Sequence, residues 1–115
     1  MSYNENMLNQ IQLATTNATV IYTPLKKRIT RVEYIIVCMY GIAPVDLTLY
    51  YDNDGTTANN TTIIMPAVPF APNVFNDIIP LKIWMNTIGG NKANLIAMAE
   101  EADMFNITIF GSEIK

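Results

Sequence analysis

Carboxylate-rich turns are the part of the sequence that comes closest to a chemical site. Asp52, Asn53, Asp54 and Gly55 stand in succession, and acidic and amide side chains before a glycine also begin a calcium-binding loop. Here the glycine comes too early, and the distal glutamate of such a loop is missing. The four residues therefore predict a hairpin turn that tolerates positive φ, and we expect no metal there.

Glu100, Glu101 and Asp103 form a second acidic group. Two carboxylates that hydrolyse a glycoside must face each other across a cleft, whereas adjacent residues of a strand point to opposite faces. We therefore expect this group to be solvated. The sequence has no histidine, so it has no Ser-His or Cys-His pair and no usual zinc site. We predict no catalytic residues, no bound metal and no cofactor.

Cys38 is the single cysteine of the sequence, so it cannot form a disulfide within the chain. It lies in an apolar run, which favours a buried and unreactive thiol. No basic segment followed by an apolar stretch opens the chain, and no apolar run is long enough to span a bilayer. These features predict synthesis in the cytoplasm and no membrane partner.

The composition indicates one compact domain with unusually few charges. The 115 residues suit a single core, half of them are hydrophobic, and 15% are charged, well below the usual ~25%. The net charge of −3 argues against nucleic acid as a partner, because phosphate binding needs an excess of lysine and arginine. A surface with so few charges suggests that part of it is covered by other subunits.

Basic residues are concentrated in one short segment. Lys26, Lys27, Arg28 and Arg31 account for four of the seven lysine and arginine residues. The segment is either a solvated turn that leads into a strand or a docking patch for an acidic protein neighbour. We take Lys26, Lys27 and Arg28 as candidate partner-binding residues.

The elements that must position these residues are short strands. Val45, Leu47, Leu49 and Tyr51 alternate with other residues, and a period of two is typical of a half-buried β-strand. Similar segments and turn signals fill the chain and predict an all-β fold, an antiparallel β-sandwich or jelly roll of about eight short strands. Residues 1–9 read as a polar arm, and residues 10–115 as the single domain.

Two segments depart from simple alternation. Residues 63–70 are apolar but contain Pro66 and Pro69, and proline cannot donate a ladder hydrogen bond, so an edge strand or a covering segment is expected. Residues 93–103 fit helical spacing as well as alternation. Because their neighbours are short strands, a strand is favoured there.

Residues 28–40 form the longest predicted strand, and between residues 34 and 40 both parities are apolar. Strands of this kind are buried on both faces. One face can point at the other layer of the domain, and it carries Val32, Tyr34, Ile36, Cys38 and Tyr40. The other face must then be covered from outside, which predicts a subunit interface at three residues, Ile35, Val37 and Met39.

Trp84 has the parity opposite to the apolar set Ile79, Leu81, Ile83 and Met85. It is a candidate partner-binding residue, since an outward Trp can anchor an interface. Simple packing is the plainer interpretation. A third interpretation, a carbohydrate-binding module, requires Trp84, Tyr50 and Tyr51 to share one exposed face.

Five segments, in this order, resemble small β-sandwich virion proteins of tailed bacteriophages. They are TVIYTP at residues 19–24, the basic turn KKR at 26–28, the long strand ITRVEYIIVCMY at 29–40, the acidic hairpin LTLYYDNDG at 47–55 and the closing strand FNITIFGSE at 105–113. The likeness covers most of the chain from about Leu13 onward. It names no active residue.

The resemblance implies a structural role in a phage particle that is made in the bacterial cytoplasm. The first expectation is a capsid decoration protein that binds the major capsid protein or another virion protein and self-associates, with a trimer favoured. A neck, tail or fibre component is the alternative within the same setting. The residue-based alternative from another class remains the carbohydrate-binding module.

Overall fold

The computed structural model describes residues 6–25, 28–72 and 77–114. These residues form eight strands: β1 Asn6–Gln12, β2 Thr19–Tyr22, β3 Ile29–Met39, β4 Val45–Asp52, β5 Ile63–Phe70, β6 Asp77–Asn86, β7 Asn94–Ala99 and β8 Phe105–Ile114. Every pairing between them is antiparallel. The predicted all-β fold of about eight short strands is confirmed. Within the described ranges no helix has the length and apolar character to cross a membrane.

The strands form two four-stranded sheets that face each other. Sheet A has the order β1-β8-β3-β6, and sheet B has the order β2-β7-β4-β5. Apart from β4 and β5, neighbours in a sheet are not consecutive in the chain, and this order is that of a jelly roll. β5 lies at an edge of sheet B, as its two prolines predict, because a central strand would need their missing N–H groups.

The core lies between the sheets and follows the predicted alternation in most strands. Val45, Leu47 and Leu49 are at most 1% exposed, and Tyr51 packs at the margin of the same cluster. The opposing sheet contributes a larger set of fully buried side chains, Val32, Ile35, Met85, Phe105, Ile107 and Ile109. The inward set of β4 is therefore confirmed.

The face assignment of β3 needs a correction. Ile35, Val37 and Met39 are 0–5% exposed within a single chain and belong to the core, so they are not a subunit interface. The pairing register shifts between Val32 and Tyr34, so that both Val32 and Ile35 face inward. A β-bulge of this kind adds one residue and reverses the parity that follows it. The outer face of β3 therefore carries Tyr34, Ile36 and Cys38.

The proposed N-terminal arm is also shorter than residues 1–9. Residues 6–9 belong to β1, where Asn6 pairs with Gly111 and Met7 with Phe110. Their sequence, with two apolar residues between two asparagines, does not alternate and so gives no sign of a strand; the ladder bonds come from β8, almost a whole chain length away. Residues 1–5 lie outside the described residues.

Residues 94–99 form a strand, as favoured, and not a helix. Leu95, Ala97 and Ala99 are 0–2% exposed and face the core. A turn follows, in which Asp103 has a positive φ of 62° before β8 begins.

Gly111 allows β8 to lie close to β3 at the bulge. It pairs with Val32, and a Cβ on Gly111 would overlap the backbone oxygen of Arg31. A backbone atom in the central strand of a sheet cannot move aside without breaking ladder bonds. The close approach therefore depends on the missing side chain.

We predict that Gly111→Ala destabilises the fold by about 3 kcal/mol or more, because the added methyl group overlaps backbone and not a flexible side chain. The measurement is the free energy of unfolding in urea. Gly90→Ala is the matched control: its φ of 90° is strained for alanine, but no atom lies within 4 Å of the new Cβ. The control should lose only about 1–2 kcal/mol. Equal losses in the two variants would contradict this role of Gly111.

Candidate interaction surface

The outer face of sheet A carries a patch of apolar side chains from all four strands. The register places Tyr34 opposite Phe110 and Ile36 opposite Ile78, and residues directly opposite in a ladder share a face. These side chains, which we call the outer patch, are Met7, Tyr34, Ile36, Ile78, Trp84 and Phe110. The outward apolar side chains of β3, Tyr34 and Ile36, belong to this surface.

The outer patch is flat at its centre and prominent at its margins. Tyr34 and Phe110 stack with ring centroids 5.0 Å apart and planes 16° from parallel. Ile78 is 65% exposed, Met7 56% and Trp84 52%. Scattered apolar residues are ordinary on a surface, but a contiguous apolar patch marks an interaction site.

Two charged side chains next to the patch form an ion pair. Arg31 Nε lies 2.9 Å from Glu33 Oε1. The Arg31 guanidinium carbon also lies 5.3 Å from the centroid of the Trp84 ring, a cation–π arrangement that covers one face of the indole. The patch therefore presents aromatic and aliphatic surface without a net charge on these groups.

The sequence pattern predicted an outward Trp84 but not the rest of the outer patch. Met7, Ile78 and Phe110 have the parity opposite to the core residues of their strands, so apolar residues at outward positions were the available signal. Their assembly into one surface depends on strand order, which alternation does not contain.

The basic turn is only partly described. Lys26 and Lys27 lie outside the described residues, so their proposed role stays a prediction. Arg28 is half-buried: its backbone N donates to Thr87 Oγ1 at 3.0 Å, and Thr87 Oγ1 donates to the carbonyl of Leu25 at 2.6 Å. The Thr87 hydroxyl thus fastens both ends of the turn to the end of β6.

The three rings of the carbohydrate-binding interpretation do not share an exposed face. Trp84 lies on the outer face of sheet A, whereas Tyr50 and Tyr51 belong to sheet B. Tyr50 is 6% exposed, and Tyr51 packs against the core, with its hydroxyl 3.4 Å from the backbone oxygen of Trp84. The geometry that this interpretation requires is absent from the described residues.

Asp52, the first residue of the acidic turn at the end of β4, uses its carboxylate for the backbone of the loop that follows. Asp52 Oδ1 accepts from Asp54 N at 3.0 Å, and Asp52 Oδ2 accepts from Thr57 N at 2.8 Å. Gly55 has a φ of 144°, so the expected positive-φ turn is present. It is part of a longer loop, because ten residues separate the end of β4 from Ile63, where β5 begins. The backbone hydrogen bonds hold the pKa of Asp52 below its ordinary value.

The comparisons with known proteins give only distant likenesses. No family model matches the chain, and no curated protein matches it. Two solved structures of infectious bursal disease virus are similar to it: one of the Gx strain, with 11% identity and a TM-score of 0.47, and one of the Gt strain, with 13% identity and a TM-score of 0.42. They cover 97% and 98% of this chain but 31% and 30% of those chains, so the chain spans about a third of their length.

The pKa of Asp52 predicts how acid affects the turn. Its folded-state pKa lies below the ordinary value of 3.8, so its contribution to stability is present above that pH and is lost as pH falls through the folded-state pKa. The urea midpoint of unfolding should therefore fall less between pH 5 and pH 3 for Asp52→Asn than for the unaltered protein. The difference should be roughly the fall that protonation of one carboxylate causes.

Glu101→Gln, which removes an exposed carboxylate from the turn before β8, is the matched control. It should follow the pH dependence of the unaltered protein. If Asp52→Asn shows the same fall as Glu101→Gln, the turn bonds do not stabilise the ionised Asp52.

Proposed function

We propose that the protein is a structural component of a virion, and specifically a decoration protein on the head of a tailed bacteriophage. The observation that supports this most is a jelly-roll sandwich in which the described residues leave the apolar outer face of sheet A uncovered. Jelly rolls occur in viral capsid proteins, lectins and cupins. The phage setting comes from the order of segments in the sequence.

The residues favour assembly over the other uses of this architecture. A lectin needs aromatic platforms with polar partners, and the rings that suited this role lie on different faces. Metal-dependent enzymes most often hold their metal by imidazole, and the sequence contains no histidine. An apolar surface with compensated charges is suited to contact with another protein.

We propose that a second copy of the chain covers the outer patch. The net charge of −3 makes two copies repel each other, so contact is favoured where the surface is apolar and its nearby charges are paired, as at Arg31 and Glu33. Each 100 Å² of apolar surface removed from water contributes about 2.5 kcal/mol before the entropy of association is subtracted. A trimer is the expected form.

The partner on the particle would be the major capsid protein or another virion protein. Lys26, Lys27 and Arg28 are the proposed contact with an acidic neighbour, and the copies would be synthesised in the bacterial cytoplasm and reside in the virion. A decoration protein is present in on the order of hundreds of copies per particle, and a neck, tail or fibre component in tens or fewer. Quantitative mass spectrometry of purified particles separates the two positions.

Self-association through the outer patch is tested with Ile78→Asp, which places a charge at its most exposed aliphatic side chain. Sedimentation should show a trimer for the unaltered protein and at least a tenfold weaker association for the variant, because a desolvated charge opposes the contact. Ile42→Asp is the matched control, since Ile42 is 100% exposed in the loop after β3 and is not a member of the outer patch. A monomeric unaltered protein, or equal weakening by both variants, would contradict the proposal.

Binding to the head is tested with expanded capsids of the source phage, incubated with purified protein and recovered by centrifugation. We expect saturable co-sedimentation and a rise in the temperature at which the capsids open. Replacing Lys26 and Lys27 together with glutamine should weaken co-sedimentation and leave self-association unchanged. If the purified protein neither self-associates nor binds capsids, the decoration role is wrong.

A further inference from the structure

The bond between Asp54 and Gly55, in the loop between β4 and β5, joins two residues that can react with each other. It is the only place in the sequence where an aspartate or an asparagine stands directly before a glycine. Glycine has no Cβ to shield its amide nitrogen, so this nitrogen can reach the side-chain carbonyl carbon of the preceding residue. The chain therefore contains one dipeptide that is prone to rearrange to isoaspartate.

The rearrangement has two steps and needs no co-reactant except water. In the first step the Gly55 nitrogen forms a bond with Asp54 Cγ. The hydroxyl of the protonated carboxyl group leaves with the amide hydrogen as water, and a five-membered imide results. In the second step water adds to the main-chain carbonyl of the imide and breaks its bond to the nitrogen, so that the chain continues through the side chain of Asp54. One water leaves and one enters, so the mass is unchanged.

The backbone of Lys92 binds both reacting groups. Lys92 N donates to Asp54 Oδ1 at 3.0 Å, and Gly55 N donates to the carbonyl of Lys92 at 2.9 Å. An imide nitrogen carries no hydrogen, so closing the ring necessarily removes the bond from Gly55 to Lys92. The native contacts therefore oppose the first step of the rearrangement.

Asn94 fixes this arrangement to sheet B. Its side chain is buried, and its Nδ2 donates to the carbonyl of Gly55 at 2.6 Å and to the carbonyl of Lys92 at 2.9 Å. Thr23 Oγ1 donates to Asn94 Oδ1 at 2.5 Å and so orients the amide. Because Asn94 begins β7, opposite Asp52 in the ladder, the sheet itself holds the two loops together. We call the contacts of Lys92 and Asn94 with Asp54 and Gly55 the loop clamp.

We propose that Asp54 is a site of isoaspartate formation that the loop clamp keeps closed in the native protein. Lys92 and Asn94 are positioning residues, and the site opens when the loop between β6 and β7 separates from the loop between β4 and β5. Such local opening requires less free energy than global unfolding. Isoaspartate adds one carbon to the main chain, so Gly55 cannot keep its position relative to Asp54 after the reaction. The site does not depend on the outer patch or on a virion role.

The test compares isoaspartate formation in the native chain and in the same full chain unfolded in guanidinium chloride, at one neutral pH and one temperature. Electron-transfer fragmentation of proteolytic peptides distinguishes isoaspartate from aspartate at equal mass. We expect isoaspartate at Asp54 to accumulate in the unfolded chain, and at least about tenfold more slowly in the native chain. Asp46, Asp77 and Asp103 precede larger residues and should stay unmodified over the same time.

Three outcomes would overturn the proposal. They are the absence of isoaspartate at Asp54 in the unfolded chain, equal rates in the native and unfolded chains, and accumulation at Asp46, Asp77 or Asp103 as fast as at Asp54.

Two variants open the loop clamp without changing the reacting residues. Lys92→Pro removes the N–H that donates to Asp54 Oδ1, and Asn94→Ala removes the bonds to the carbonyls of Gly55 and Lys92. In conditions where circular dichroism shows a native fold, each variant should form isoaspartate at Asp54 at least about tenfold faster than the unaltered native protein.

Asn9→Ala is the matched control. It is the same substitution at a half-buried asparagine of β1, and it removes a bond of similar length, 2.6 Å from Asn9 Nδ2 to the carbonyl of Ile21. It should leave the rate at Asp54 unchanged. Unchanged rates in both clamp variants, or an equal rise with Asn9→Ala, would contradict the role of the loop clamp.

Discussion

The pairing of β3 with β8 at the bulge between Val32 and Tyr34 determines which side chains form the core. A shift of one residue in a strand exchanges its two faces completely. Here the shift occurs inside the central strand of sheet A, and Gly111 makes it possible by letting β8 approach the Arg31 carbonyl. Ile35 then enters the core, and Tyr34 and Ile36 remain outside.

The two outer faces of the sandwich carry different kinds of side chain. Sheet A presents stacked Tyr34 and Phe110 beside a compensated Arg31–Glu33 pair. Sheet B presents Asp46 and Glu100 side by side, with Glu100 Oε1 accepting a hydrogen bond from Asp46 N. A domain with an apolar face and an acidic face can contact two unlike neighbours at once. This is the physical basis for regarding it as an assembly part.

Alternation in the sequence was sufficient to predict the number of strands, the inward set of β4 and the outward position of Trp84, because each of these is local. It assigned Ile35 to the wrong face because a bulge interrupts the period of two and leaves no mark in residue type. The contact between Asp46 and Glu100 was not predictable from the sequence. Asp46 and Glu100 are 54 residues apart, and only the register of β4 with β7 brings them together.

The edge strands of both sheets are poorly suited to pair with strands of another chain, so association is expected through the faces of the sheets. An open edge can pair with another chain unless prolines, bulges or short length prevent it. β5 contains Pro66 and Pro69, and β6 contains Pro80 and a shifted register near Lys82, whose φ is 53°. The other two edges are a four-residue β2 and a β1 that shifts register between Met7 and Asn9. With ladder extension hindered at all four edges, the proposed contact between copies uses the apolar face of sheet A and not an added strand.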